Sequence, residues 1–368
     1  MFNRRQSVLT LFTAAVVGAV VSVGCNYKGE EAVKEKDFAV SSTVKTAVGA
    51  AGSTFIAPIM TNWISAYRQI HQDTLINYRP IGSGAGLSEL KKGLLELAAS
   101  DAPLSDDQIS KMFPTIQVPV TAGPVCAIYN VPDVKSTLRF SSSTLAGIFL
   151  GNIISWQDPA IERDNPGVKL PRAAIIVVHR SDGSGTTSIL TGYFAKVSAE
   201  WSHRAGQGLS VPWPVGIGEE GSKGVLEFVR QNPGTIGYAE LNYAKENKLP
   251  VALIQNRAGN YVEPSSESTT AAIEAFNEAL SKDARTPIVD PPASAKEAYP
   301  LSGLTFLLVP KDGSDADERR AIRDFIQYAV TSGQDSAVSL DYAKLPKSLQ
   351  QHDLNMLGEL TVGGQPLK

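Results

Sequence analysis

His179-Arg180-Ser181-Asp182-Gly183-Ser184-Gly185-Thr186-Thr187 follows the apolar run Ala173 to Val178 and precedes the periodic segment Ser188 to Val197. The order reads strand, tight turn, helix. At such a junction the first helical N–H groups have no intrahelical partner, and the helix dipole adds partial positive charge to them. Gly183 and Gly185 let backbone approach a ligand closely. Ser184, Thr186 and Thr187 add hydroxyls, and Arg180 adds a planar fork matched to two oxygens of an oxyanion. The same residues are also ordinary turn chemistry, with Asp or Ser capping the next helix. One loop leaves both readings open, so a tetrahedral-anion site needs further donors aimed at the same point.

Three more handovers of this kind lie upstream. Val48 to Phe55 is a short apolar strand entering the small-residue turn Gly52-Ser53-Thr54-Phe55, and Ile59, Trp63, Ile64, Tyr67 and Ile70 then recur at helical spacing behind Pro58. Leu75 to Pro80 reads as a strand, Ile81-Gly82-Ser83-Gly84-Ala85-Gly86 as its turn, and Leu87 to Leu97 as a helix. A dinucleotide fingerprint would need Gly where Leu87 stands. Thr54 and Ser83 can each donate to an anion or merely cap a helix. The third handover, Leu97 to Leu104, carries an acid, Asp101, which either caps a turn before Pro103 or faces an anion that brings its own proton. Phosphate near neutral pH carries such a proton and sulfate does not, so in the second reading Asp101 is the selectivity element.

Val118 to Asn130 is a long apolar run broken at Gly123-Pro124, and Leu304 to Pro310 is its counterpart far downstream. Two such strands flanking a middle segment suit two lobes joined by a double crossover. Ser141 to Phe149, Thr270 to Leu280 and Arg319 to Val330 are expected helices, and Gly234 to Tyr238 is an expected buried strand. Gly221-Ser222-Lys223-Gly224 lacks the full phosphate-loop spacing and reads as a structural turn.

At 368 residues and 43% hydrophobic, the chain can bury the core of two lobes. Its net charge of -3 speaks against a nucleic-acid binder, so any anion must be held by local geometry. Arg4-Arg5 followed by the apolar run Val8 to Val23 reads as an export signal with its cut near Cys25. Gly24-Cys25 resembles a lipobox, although Ser22 stands where Leu is usual; lipid attachment at Cys25 and simple cleavage both remain open. A twin-arginine signal fits the residues around Arg4-Arg5 poorly. Asn26 to about Thr46 reads as a polar tether. Cys126 lies in an apolar strand and reads as a small buried hydrophobe, unpaired with Cys25.

Taken together, Gly52-Ser53-Thr54-Phe55, Gly82-Ser83-Gly84, Ala99-Ser100-Asp101-Ala102-Pro103-Leu104 and Arg180-Ser181-Asp182-Gly183-Ser184-Gly185-Thr186 resemble the ligand loops of the periplasmic phosphate-binding proteins (PstS family) of high-affinity phosphate ABC importers. Trp213 to Gly216, Gly234 to Tyr238 and Leu340 to Pro346 are similar to further segments of that family, so the likeness runs from about residue 48 to 350. It implies an α/β fold of the type II, two-lobe periplasmic-binding-protein class with a double-crossover hinge. Residues 1–25 would be the signal, 26–46 the tether, 47–125 with 306–368 lobe 1, and 126–305 lobe 2. Thr54, Phe55 through its backbone N–H, Ser83 and Asp101 would contact phosphate from one lobe, and Arg180, Ser184, Gly185 and Thr186 from the other. Asp182 would pair with Arg180 and fix its fork. The chain departs from the family at Ser53, where Ala is frequent, at Gly84, where Ser is common, and at His179 before the Arg. The resemblance further implies a monomer in the periplasm or at the outer face of the cell membrane, a membrane permease and an ATPase as partners, and neither cofactor nor metal.

The competing class is an exported phosphatase or serine hydrolase using Ser184. A nucleophile elbow would need Gly where Asp182 stands. The four histidines, His71, His179, His203 and His352, are scattered without metal spacing, and only His179 lies near the loop.

Overall fold

The computed structural model describes residues 44–368. The signal, Cys25 and most of the tether lie outside those residues. Eight strands form one mixed sheet; numbered in chain order they are β1 (Thr46–Gly52), β2 (Thr74–Pro80), β3 (Leu97–Ser100), β4 (Thr115–Asn130), β5 (Ile176–Arg180), β6 (Ile217–Glu219), β7 (Thr235–Glu240) and β8 (Ser302–Pro310). Their order across the sheet is β2-β1-β3-β8-β4-β7-β5-β6.

Strand β4 explains the layout. Its residues from Ile116 to Tyr129 are all buried, so both of its faces are covered and the apolar run needs no alternation. From Thr115 to Pro124 it pairs antiparallel with β8, and from Val125 to Asn130 antiparallel with β7. The parallel set β2-β1-β3 runs antiparallel to β8, hence in the direction of β4; the parallel set β7-β5-β6 runs against β4. Because the two sets sit on successive stretches of one long strand and run in opposite senses, their C-terminal ends face each other at the partner switch. Glu240, the last residue of β7, pairs with Val125 there, and Ser302, the first of β8, pairs with Pro124. The ends of strands at such a switch are where α/β sheets place ligands.

The expected break at Gly123-Pro124 is absent. Proline ends ladders because it lacks an N–H, but Pro124 falls where β4 changes partners, and Val125 resumes bonding by donating to the Leu301 carbonyl at 2.8 Å. The helix expected from Thr270 to Leu280 is instead two, Ser266–Ala275 and Asn277–Lys282, separated at Phe276. The first helix, Ala57–Ile70, buries Ile59, Met60, Trp63 and Tyr67, with Pro58 in its first turn as the pattern requires. Trp63 is tied across the fold, its indole N–H donating to the Gly333 carbonyl at 2.8 Å.

One core position violates its own pattern. In the helix Lys347–Leu357 the buried face runs Leu349, Gln350, Asp353, Leu357, so a carboxyl occupies an apolar stripe. Asp353 is fully buried, neither oxygen has a hydrogen-bond partner, and burial pushes its pKa up to about 9. Between the ordinary carboxylate range and that value the folded chain holds a proton the unfolded chain has lost, so stability falls as pH rises through this window. By linkage the cost is roughly 4 kcal/mol at pH 7. Asp353→Asn removes the ionisation while keeping the shape. Urea unfolding should show a stability gain that is larger at pH 8 than at pH 5; an equal effect at both would contradict this account.

Candidate functional site

The loop that follows β5 sits at the facing strand ends. Its helix begins at Gly185 and runs to Val197, and Ser184 is the N-cap, its Oγ accepting from the Thr187 N–H at 3.1 Å. The capping reading is therefore fulfilled at Ser184, while its hydroxyl proton is not needed for the cap. Thr54 and Ser83 do not cap: the helix after β1 has Ile56 at its N-cap, that after β2 has Gly82, and neither carries a side-chain cap bond. Gly185 is required by space, since a Cβ there would lie 2.3 Å from Asp101 Oδ2 and 2.6 Å from Ser83 Oγ. That proximity brings the helix start from one half of the sheet against Asp101 and Ser83 from the other. Gly84 N–H donates to the Gly183 carbonyl at 2.8 Å, so the two loops also meet through backbone.

Arg180 is buried, and four contacts occupy its fork. Nε and Nη2 donate to the two oxygens of Asp182 at 2.6 and 2.5 Å, and Nη1 donates to Thr54 Oγ1 at 3.2 Å and Ser222 Oγ at 3.1 Å. Burial alone would raise Asp182, but the Arg180 hydrogen bonds and charge, with a bond from the Gly221 N–H at 3.0 Å, hold it below the usual carboxylate range. Burial likewise opposes the Arg180 charge, and the bonds and charge of Asp182 outweigh it. The expected Arg180–Asp182 pair is present as a bidentate clamp. The Arg180 backbone N–H donates to Tyr238 Oη at 3.0 Å, which fixes where the side chain departs.

Asp101 is buried beside the turn after β3, where Ser100 rather than Asp101 makes the local turn bonds with Ala102. Its carboxylate accepts from Ser53 Oγ at 2.8 and 2.7 Å, from Thr305 Oγ1 at 2.7 Å, and weakly from Ser83 Oγ at 3.4 Å. Burial pushes its pKa up to about 6; the Ser53 and Thr305 hydroxyls pull it down, the Glu240 charge adds to the rise, and Arg180 opposes it. The Phe55 N–H donates to Ser53 Oγ at 3.0 Å, so Ser53 takes up one of the expected ligand donors. Thr186 Oγ1 donates to Glu240 Oε1 at 2.8 Å.

All nine expected site residues thus gather at one place. Ser222, Glu240 and Thr305 join them unforeseen. Ser222 corrects the reading of Gly221 to Gly224 as a structural turn: its Oγ lies 2.9 Å from Thr54 Oγ1, receives Arg180, and donates to Glu240 Oε1 at 3.0 Å. It opens the helix Gly221–Gln231, so the Gly-Ser pair before a periodic segment was a signal equal to that of Gly82-Ser83. Glu240 ends a buried strand as Asp101 follows one, and its Oε2 has no partner. His179 is half-buried, stacks on Trp213 at 4.7 Å between ring centroids, and has its pKa lowered by burial. Its Nδ1 lies 3.1 Å from the Arg180 carbonyl.

A family model for the PBP superfamily domain matches residues 39–332. The phosphate-binding protein PstS of Xylella fastidiosa (strain Temecula1) is 39% identical over 308 residues, covering 83% of this chain and 84% of that protein. PstS of Methanocaldococcus jannaschii is 34% identical over 370 residues, covering 94% of each. Among solved structures, a high affinity periplasmic phosphate-binding protein (PfluDING) bound with phosphate superposes with a TM-score of 0.65 at 22% identity, over 83% of this chain and 92% of that one, which bears out the two-lobe α/β fold. Among the described residues, no group of three or more His, Cys, Asp or Glu has metal-binding geometry, and no helix is long and apolar enough to cross a membrane.

Proposed function

The chain belongs to the PBP superfamily and, within it, to the PstS phosphate-binding proteins, and from that membership we propose that it captures inorganic phosphate outside the cytoplasm and delivers it to an ABC-type import permease and its ATPase. The observation that carries the reading is the meeting of Gly185, at the start of one helix, with Asp101 and Ser83 from the opposite half of the sheet. Hydroxyl and N–H donors then lie beside the Asp101 carboxylate, a combination that suits a tetrahedral anion that still carries a proton. Phosphate would be held by Thr54, Ser83, Asp101 and the Phe55 N–H, shared with Ser53 Oγ, from one side and by Arg180, Ser184, Gly185 and Thr186 from the other. Asp182 would orient Arg180. Most of these contacts are dipolar, and Arg180 supplies the positive charge.

The lobes, 47–125 with 306–368 and 126–305, would close by hinge motion at β4 and β8, ligand contacts from both selecting the closed form. We place the lipid anchor at Cys25 and the working state as a monomer. Hydrolysis using Ser184 has no support in the geometry: Ser184 Oγ meets the Thr187 N–H, and the nearest histidine in sequence is stacked on Trp213.

Titration calorimetry with phosphate and sulfate at neutral pH tests the reading, together with incubation on a chromogenic phosphate ester. The expected outcome is one phosphate per chain, rejection of sulfate by orders of magnitude, and no sustained ester turnover. Tight sulfate binding or steady hydrolysis would sink it.

A further inference from the structure

Asp101 is useful as a reader of the anion's proton only while it is ionised, and two hydroxyls from outside its own loop are turned toward it. Ser53, after β1, and Thr305, within β8, are both fully buried. Ser53 Oγ donates to Oδ1 and Oδ2 at 2.8 and 2.7 Å, and Thr305 Oγ1 donates to Oδ1 at 2.7 Å. A hydroxyl has a single proton. That of Ser53 is committed in direction, because its oxygen takes the Phe55 N–H at 3.0 Å. A protonated Asp101 could still accept both hydroxyls through Oδ1, but as a neutral carbonyl, a weaker acceptor than the carboxylate.

We propose that Ser53 and Thr305 are specificity-determining positioning residues, which donate to Asp101 so that it stays an acceptor and the site demands an anion bringing its own proton. The inference rests on the phosphate-binding reading. Hydrogen bonds to the charged form of a carboxylate favour that form, and burial opposes it. The charged groups that act on Asp101 are Arg180 from β5, which favours its ionisation, and Glu240 from β7, which opposes it. The phenols of Tyr78 and Tyr342 also sense its charge, but burial raises both well above their ordinary range and they stay neutral. The balance leaves Asp101 titrating at about 6. Sulfate, which brings no proton, can then be accepted only when Asp101 takes one from water. Loss of either hydroxyl removes a pull toward ionisation and moves that event to higher pH.

The test is calorimetric titration of the full protein with sulfate and with phosphate from about pH 5 to about pH 8, for the unmodified chain, Ser53→Ala, Thr305→Val and Thr305→Ser. Unmodified protein should gain sulfate affinity on acidification with a midpoint near 6. In Ser53→Ala and Thr305→Val the midpoint should rise by about one pH unit, which is about fivefold in sulfate affinity at pH 7 and about tenfold at pH 8. Thr305→Ser restores the hydroxyl and should restore the midpoint. A merely structural role would weaken both anions at every pH without moving the midpoint, and that result overturns the proposal. If one substitution fails to fold, the midpoint of the other decides. Unmodified protein that binds no phosphate at any pH would instead remove the underlying reading, and the inference with it.

Discussion

Arg180→Met will cost phosphate affinity on the order of 10³-fold and will also destabilise the protein. The guanidinium is buried and places four donor contacts, two on Asp182 and one each on Thr54 and Ser222. It is the positive charge among Asp182, Asp101 and Glu240. Charged hydrogen bonds are worth about 1.5–3 kcal/mol each, so losing those made to an anion and those that order Thr54 accounts for a loss of this size. On the stability side, removing one partner of a buried pair costs about 3–5 kcal/mol. Asp182 keeps some access to water, with 19% of its side chain exposed, so the lower end applies. Arg180→Lys should rescue little, because a point charge cannot span both Asp182 oxygens and two hydroxyls. Calorimetry and urea unfolding check both effects; affinity within tenfold of the unmodified chain would overturn the assignment of Arg180.

The parts of this site that were legible in the sequence are those that sit at chain-order junctions. Ser83, Asp101 and the Arg180 to Thr186 loop each follow an apolar run and sit at or near the start of the next element, so periodicity and turn residues expose them together. Thr305 gave no such signal, because it lies inside β8, where a Thr in an apolar strand has many uses. It reaches Asp101 only because Phe306 pairs with Ser100 and thereby brings β8 alongside Asp101. Glu240 is similar: its importance comes from the partner switch in β4, which pairs it with Val125 and turns it toward Thr186 and Ser222. Ser222 is visible as a Gly-Ser helix start, but Gly221 to Gly224 lack the phosphate-loop spacing that would single it out. What decides its role is spatial, namely the reach of Arg180 Nη1. The Gly123-Pro124 break misled for a related reason. A proline inside a strand forfeits a ladder bond, and only the exchange of β8 for β7 at that residue makes the forfeit harmless.

Asp101→Asn separates binding from stability, because the two should move in opposite directions. An asparagine can still accept from Ser53 and Thr305 through its carbonyl, but it then presents an N–H where the carboxylate presented a lone pair. A buried site built for a hydrogen-bonding group can reject an analogue lacking it by ~10⁴–10⁵. With a donor in that place sulfate escapes the roughly tenfold protonation cost it meets at pH 7, and phosphate loses its acceptor, so the preference for phosphate over sulfate should fall by at least ~10²-fold in all. Stability follows from linkage. The folded pKa of about 6 lies above the ordinary carboxylate value, so the folded chain binds the proton more tightly than the unfolded chain. Stability is therefore lost as pH rises from about 4 to about 6, and at pH 7 the buried charge costs about 3 kcal/mol. Asparagine carries no such charge, although its amide must still find partners, so the gain should be smaller than that figure. A carboxylate kept for packing would give destabilisation on replacement with anion preference unchanged. One kept for reading a proton gives a chain that melts higher at neutral pH, melts alike at pH 4, and has lost its discrimination. Thermal unfolding at the two pH values, beside competitive titration of phosphate against sulfate, distinguishes these outcomes, and a less stable but still selective variant would remove Asp101 from the role assigned to it.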